Sequence, residues 1–165
     1  TADFEYKDLL YIREGAIDEA LKLLKKGVTI YTDTKMALSG INKKALEKLN
    51  CRVISYVSEE EVAKIAKERE ITRSMAAVEK AVEDGVEFFV FGNAPTAVFK
   101  LKELVEEGKA NPKFIIACPV GFVGAAECKV EIEKLNIPMI TVRGRKGGSG
   151  IAACIVNALM YMLAR

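Results

Sequence analysis

The residues of this sequence best suited to chemistry sit in three glycine-bearing turns. The first is Gly92-Asn93-Ala94-Pro95-Thr96. The second is Pro119-Val120-Gly121-Phe122-Val123-Gly124. The third is Arg143-Gly144-Arg145-Lys146-Gly147-Gly148-Ser149-Gly150. Each follows an apolar stretch and leads into a helical pattern. Glycine lets a backbone approach a ligand closely, and the start of a helix aims free N–H groups and a positive dipole end at the same space. Asn93 and Thr96 add neutral polar groups, and Arg143, Arg145 and Lys146 add positive charge. The chemistry is anion recognition, and three such turns together suit a ligand with several negative groups.

Other polar residues carry two readings each. Arg73 stands between Thr72 and Ser74 where a helix begins. A cation there opposes the helix dipole and gains nothing locally. It is either a solvated surface arginine or a carboxylate clamp, because a guanidinium grips a carboxylate in a fixed fork. Asp33 directly follows a strand pattern and is either a cap or a polar site residue. Glu127 follows Gly124-Ala125-Ala126 and either complements the helix dipole or serves as a site carboxylate.

Several function classes are excluded or demoted. The 165 residues contain no histidine, so acid–base chemistry near neutral pH cannot draw on that side chain from within them. Gly148-Ser149-Gly150-Ile151-Ala152-Ala153 matches a dinucleotide fingerprint, but no second strand ending in an acidic residue follows about 20 positions on. No GxxxxGK[ST] pattern occurs. The four cysteines show no CxxC spacing and have no histidine beside them, so no metal site is expected. Cys51, Cys118 and Cys154 read as small core residues in a reducing cytosol. A net charge of +2 argues against a nucleic-acid binder. No apolar run reaches the ~20 residues that span a bilayer, and no signal-peptide pattern opens these residues. A soluble cytoplasmic protein with no membrane partner is expected.

The turns need a scaffold, and the apolar patterning supplies one. Strands are expected at Val28–Thr32, Arg52–Tyr56, Glu87–Phe91, Phe114–Cys118 and Met139–Val142. Helical spacing covers Ala16–Lys26, Lys43–Leu49, a segment ending near Arg69, Thr72–Asp84, a segment ending near Glu107, Val123–Leu135 and Ile151–Leu163. Ser58-Glu59-Glu60-Glu61 reads as a capping box, and Asp33-Thr34 as a cap-like pair. Ala2–Ile12 shows no clear period. The face of the last helix that carries Met160 and Met162 reads as core or subunit interface. Strands that alternate with helices and lack strict polar alternation imply a parallel sheet buried on both faces. The expectation is a three-layer α/β/α sandwich, an α/β fold with a mostly parallel sheet of about five strands. Residues 1–165 are expected to form one domain.

Longer segments carry a family resemblance. Thr1-Ala2-Asp3-Phe4, Ile30-Tyr31-Thr32-Asp33-Thr34-Lys35-Met36-Ala37-Leu38-Ser39-Gly40-Ile41-Asn42-Lys43, Ile71-Thr72-Arg73-Ser74-Met75-Ala76-Ala77-Val78, Phe89-Val90-Phe91-Gly92-Asn93-Ala94-Pro95-Thr96-Ala97, Pro119-Val120-Gly121-Phe122-Val123-Gly124-Ala125-Ala126-Glu127 and Gly144-Arg145-Lys146-Gly147-Gly148-Ser149 resemble the precorrin-8X methylmutases of cobalamin biosynthesis. The segment from Thr32 to Lys43 is similar to the cobalt-dependent, anaerobic branch. The resemblance implies an isomerase that moves a methyl group from carbon 11 to carbon 12 of a corrin precursor. It gives cobyrinic acid in the anaerobic branch and hydrogenobyrinic acid in the aerobic one. It implies no redox or nucleotide cofactor, cobalt belonging to the substrate, and a homodimer with sites near the subunit interface.

The implied substrate is a macrocycle bearing many carboxylates, in agreement with the anion-binding turns. Arg73 is then expected to clamp a substrate carboxylate, with Thr72, Asn93 and Thr96 supplying polar contacts nearby. Arg143, Arg145 and the Gly147-Gly148-Ser149 turn are expected to hold peripheral carboxylates, and Asp33 and Ser39 to line the pocket. The family's catalytic histidine lies just upstream of the segment matched by Thr1-Ala2-Asp3-Phe4, so no catalytic residue is expected within residues 1–165. A fragment or processed chain of a longer protein is expected. The alternative reading is a corrinoid-intermediate binding protein without catalysis.

Overall fold

The structure, a computed structural model, describes residues 1–163. Six strands form one sheet. They are β1 (Leu10–Ile12), β2 (Thr29–Thr32), β3 (Arg52–Ile54), β4 (Phe88–Phe91), β5 (Phe114–Ala117) and β6 (Met139–Val142). Their order across the sheet is β1-β6-β5-β4-β2-β3. All neighbours are parallel except β1, which runs antiparallel to β6. The helices are α1 (Tyr6–Leu9), α2 (Ala16–Lys25), α3 (Lys35–Gly40), α4 (Lys43–Lys48), α5 (Glu60–Glu68), α6 (Arg73–Glu83), α7 (Pro95–Glu106), α8 (Ala125–Ile132) and α9 (Ser149–Tyr161).

The continuous apolar runs of β4, β5 and β6 follow from their position, since every residue in them is buried. Successive side chains of a strand point to opposite faces. Ile30, Phe88, Val90, Phe114, Ile116, Ile140 and Val142 pack with α2, α4 and α9 on one face. Tyr31, Phe89, Phe91, Ile115, Ala117 and Met139 pack with α5, α6, α7 and α8 on the other. The expected three layers are therefore present. Helix α9 crosses the first face against α2, α3 and α4.

The structure departs from the sequence reading at four points. A sixth strand, β1, lies in the stretch read as aperiodic. Three residues at a sheet edge, alternating between exposed and half-buried, are too few to show a period. Helix α3 occupies six residues after the Asp33-Thr34 pair, where no helix was expected; Thr34 caps it by accepting from the Ala37 N–H. The capping box at Ser58 does not form, because Glu59 takes the N-cap position and makes no side-chain cap bond. Cys154 is exposed on α9, so it is not a core residue, whereas Cys51, Cys118 and Cys128 are buried.

Phe88 and Phe114 meet edge-on across the first face, with ring centroids 4.8 Å apart. Removing one ring leaves a cavity that neighbouring strands cannot collapse to fill. Phe114→Ala is expected to lower the unfolding free energy by about 3–5 kcal/mol, measured by urea denaturation.

Candidate functional site

The chain order of the strands reverses between β2 and β4. β3 lies to one side of β2, while β4, β5 and β6 extend from the other. Open α/β sheets bind ligands outside the carboxyl ends of the strands near such a switch point. Here the switch point is filled from within the chain. Asp33 follows β2 and is 1% exposed. Its Oδ1 accepts from the Gly92 N–H at 2.7 Å, and its Oδ2 accepts from Asn93 and Ala94 at 2.9 and 2.8 Å. Burial pushes the carboxyl above the usual carboxylate range, and the three backbone N–H groups offset only part of that rise. Asp33 thus holds the first glycine turn in shape. The amides of Gly92, Asn93 and Ala94 are spent on it and are not free for a ligand.

The start of α9 closes over the same point. A Cβ at Gly92 would stand 2.6 Å from the Ser149 Cα, so only glycine permits the approach. The Ser149 hydroxyl lies 2.7 Å from that of Thr34, which also caps α3. Ser149 is 8% exposed, so its hydroxyl joins the third turn to the β2–α3 loop.

The second and third turns are tied together by a second buried charge. Lys129, on α8, is fully buried. Its Nζ donates to the carbonyl of Pro119 at 2.8 Å and to that of Lys146 at 2.9 Å. Burial pushes this ammonium below the usual lysine range, while the nearby thiols of Cys118 and Cys128 act in the other direction. The same burial raises Cys118 to about 12. Main-chain bonds complete the join: Gly148 N–H to the Cys118 carbonyl at 2.8 Å, and Gly121 N–H to the Arg145 carbonyl at 3.1 Å. Gly147, at φ 155°, packs so tightly that a Cβ would fall 2.2 Å from the Cys118 oxygen.

The antiparallel β1 brings the first residues of the chain to this edge. Lys146 pairs with Asp3 and with Glu5, the latter at 2.6 Å. The Tyr6 hydroxyl reaches the Gly147 carbonyl at 3.4 Å. Thr1, Tyr6, Leu10, Gly147, Gly150 and Cys154 help line a mainly apolar groove of about 580 Å³ beside the third turn.

The expected site residues fall into groups. Thr72, Arg73, Asn93 and Thr96 come together, all exposed, with the hydroxyls of Thr72 and Thr96 3.2 Å apart. Thr72 also caps α6 by accepting from the Met75 N–H. Arg73 has no hydrogen bond or ion pair among the described residues, so its guanidinium is free. Arg145 is exposed over the Phe122 ring, 5.8 Å from the centroid. Gly147 and Gly148 form the seam between the second and third turns. Arg143 turns elsewhere: it pairs with Glu133 at 2.9 Å and stacks 4.1 Å over Tyr11, on the β1 side of the sheet. Ser39 is exposed in the last turn of α3, with no hydrogen-bond partner among the described residues. Glu127 is exposed in the first turn of α8, where a negative charge complements the dipole.

With this geometry in place, known proteins supply the comparison. A family model described as precorrin-8X methylmutase matches residues 1–162. The chain belongs to the precorrin-8X methylmutase family. It is 45% identical over 165 residues to a cobalt-precorrin-8 methylmutase of Salmonella typhimurium, covering 99% of this chain and 77% of that one. It is 40% identical over 163 residues to the cobalt-precorrin-8 methylmutase of Methanothermobacter thermautotrophicus, covering 98% and 75%. Its fold matches the crystal structure of a precorrin-8X methylmutase from Thermus thermophilus. That match has a TM-score of 0.91 and 35% identity, and covers 99% of this chain and 80% of that chain.

Within this methylmutase fold, Lys129 is the residue that sequence reasoning passed over. A signal for it exists. Ala125, Cys128, Lys129 and Ile132 are the buried residues of α8, and their spacing marks one helical face. A lysine on that face is a core lysine in need of acceptors. Asp33 has the opposite history, since neither of its two readings named the turn that it holds.

Asp33→Asn keeps one acceptor oxygen and, in either orientation of its amide, sets an NH₂ group against at least one of the three N–H donors. The variant is expected to lose about 3 kcal/mol of unfolding free energy in urea, because bonds to a charged acceptor are replaced by an opposed pair of donors.

Proposed function

We propose that this chain acts as a cobalt-precorrin-8 methylmutase. It would bind a carboxylate-rich corrin precursor at the glycine-turn edge of the sheet and promote migration of a methyl group from carbon 11 to carbon 12. The product is cobyrinic acid, or hydrogenobyrinic acid when the substrate is metal-free precorrin-8X. The observation that carries this reading is the meeting, at one sheet edge, of all three glycine turns with the free Arg73 guanidinium, in a chain that belongs to the methylmutase family. A planar macrocycle with a charged rim needs apolar surface for its face and fixed donors for its periphery. The groove beside Gly147 and Gly150 offers the first. The cluster of Thr72, Arg73, Asn93 and Thr96 offers the second, and Arg145, exposed in the third turn, adds a further cation.

The chain's own residues bind and orient in this reading. Arg73 grips one carboxylate in a fork, and Thr72, Asn93 and Thr96 hydrogen-bond around it. Arg145 and the third turn at Gly147 serve other carboxylates, while the Gly148 N–H and the Ser149 hydroxyl are taken up inside the wall. Arg143, already paired with Glu133, braces the edge strand instead. Asp33 supports the wall without touching the ligand. The family resemblance implies that the proton exchange belongs to a histidine just upstream of Thr1. Thr1 lines the groove beside the third turn. A positioned proton donor contributes about 10²–10⁴-fold to a rate. No redox or nucleotide cofactor is called for, and cobalt is part of the substrate. The three buried thiols and the exposed Cys154 are all free, which suits a reducing cytoplasm.

A homodimer is part of the proposal. Helix α9 leaves Cys154, Ala158 and Tyr161 exposed, and Leu10 and Ile12 of β1 are about two-fifths exposed. Pairing of two such faces would cover this surface and extend each groove. Sedimentation analysis at micromolar concentration is expected to give a dimer; a monomer under those conditions would remove the dimer from the proposal.

Titration with cobyrinic acid, followed by corrin absorbance, tests the reading. Arg73→Ala is expected to bind at least about tenfold more weakly, with an unchanged melting temperature. Unchanged affinity would show that the clamp lies elsewhere, and no binding by the unaltered chain would sink the corrinoid reading itself.

A further inference from the structure

Among the described residues, Lys129 has no carboxylate within ion-pair distance. Its hydrogen-bond partners are two carbonyls, from two different glycine turns. The charged and titratable groups that act on it are the thiol of Cys118 at the end of β5, and Cys128 and Glu133 on its own helix. Glu133 is already engaged by Arg143 and by the Thr141 hydroxyl. The side chain of Lys146, whose carbonyl Lys129 holds, is paired with Asp3 and Glu5. A buried cation in this setting is expensive unless its position does something.

What it does follows from the geometry of the peptide unit. Every peptide bond here is trans. In a planar trans peptide the C=O and N–H vectors point in opposite directions. The Pro119 carbonyl aims inward at Lys129, so the N–H of Val120 aims away from it. The Lys146 carbonyl also aims at Lys129, so the N–H of Gly147 aims away too. Neither N–H has an acceptor among the described residues. Val120 is exposed, and Gly147 lines the groove. The first turn is wired the other way. Asp33 draws the N–H groups of Asn93 and Ala94 inward, so the carbonyls of Gly92 and Asn93 turn outward.

We propose that Lys129 is a positioning residue for ligand binding, which by capturing the Pro119 and Lys146 carbonyls from beneath turns the Val120 and Gly147 N–H groups outward as donors for ligand carboxylates. This rests on the corrinoid reading of the site. Its buried positive charge lies one peptide unit behind each donor, so charge and hydrogen bonds act in the same direction on an anion. The cradle is therefore divided. The wall over Lys129 presents donors and suits carboxylates. The backbone of the wall over Asp33 presents carbonyls and suits a ligand N–H or a protonated group, so a carboxylate on that side is held by the side chains of Arg73, Thr72, Asn93 and Thr96 alone. A macrocycle with an uneven distribution of carboxylates is held in one orientation by that division, which a methyl shift at a single ring position requires.

The test compares two ligands: cobyrinic acid, and a corrinoid of the same ring with its carboxylates capped as amides. In Lys129→Met, affinity for the acid should fall about tenfold or more while affinity for the amide changes little. Lys129→Gln keeps an N–H donor without the charge, and is expected to retain part of the preference for the acid. A purely structural role would weaken both ligands alike, and that result, or no change for either, would overturn the proposal. The unaltered protein supplies a check that does not depend on a variant folding. Binding an anion favours the charged ammonium, so affinity for the acid should fall as pH rises through the lowered range of Lys129, while affinity for the amide stays level. A level profile for both ligands would also overturn the proposal. If the unaltered protein binds neither ligand, the corrinoid reading fails, independently of Lys129.

Discussion

Two buried charges of opposite sign govern the shape of the carboxyl edge of this sheet. Asp33 accepts from three consecutive backbone N–H groups, and Lys129 donates to two backbone carbonyls. Among the described residues neither is paired with a side chain of the other sign; each is held by main chain. The arrangement converts flexible glycine turns into fixed walls. Glycine provides the close approaches, such as Gly92 against Ser149 and Gly147 against Cys118. The charges then remove the freedom that glycine would otherwise leave. A large ligand meets a surface whose ordering cost has already been met during folding.

The rest of the fold serves that edge. Parallel strands buried on both faces bring the second and third turns side by side, and the reversal between β2 and β4 brings Asp33 under the first turn. Helix α9 packs across the sheet, and its first turn lands on Gly92 and Thr34. The antiparallel β1 delivers the segment around Tyr6 to the third turn. The methylmutase family match spans all of these elements, as expected if the edge is the product of the whole sheet and not of one motif.

Much of this was legible in the residues. The runs Phe88–Phe91, Phe114–Ala117 and Met139–Val142 are apolar throughout because both of their faces are covered, and that pattern needs no knowledge of neighbours. The meeting of the Thr72 and Thr96 hydroxyls was not legible from spacing, since they lie 24 positions apart at the starts of two different helices. The partners of Asp33 were not legible, because they lie about sixty positions away and depend on which strand sits beside β2. Arg143 looked like a site cation because its turn is rich in basic residues. Its capture by Glu133 and Tyr11 depends on β1, an edge strand too short to show a pattern. Lys129 was the reverse case: its helical spacing was readable, but lysine is rarely sought in a core.

Strand β1 has a consequence for how the protein is made. Its sheet neighbour is β6, so Leu10–Ile12 must wait for Met139–Val142 before they can pair. The same delay applies to the bonds from Asp3, Glu5 and Tyr6 to the third turn. On the ribosome, the parallel strands β2 to β5 can assemble in order of emergence, while the leading segment stays loose. The wall that carries Thr1 therefore closes only once β6 is in place, and its closure reports that the rest of the sheet has been built.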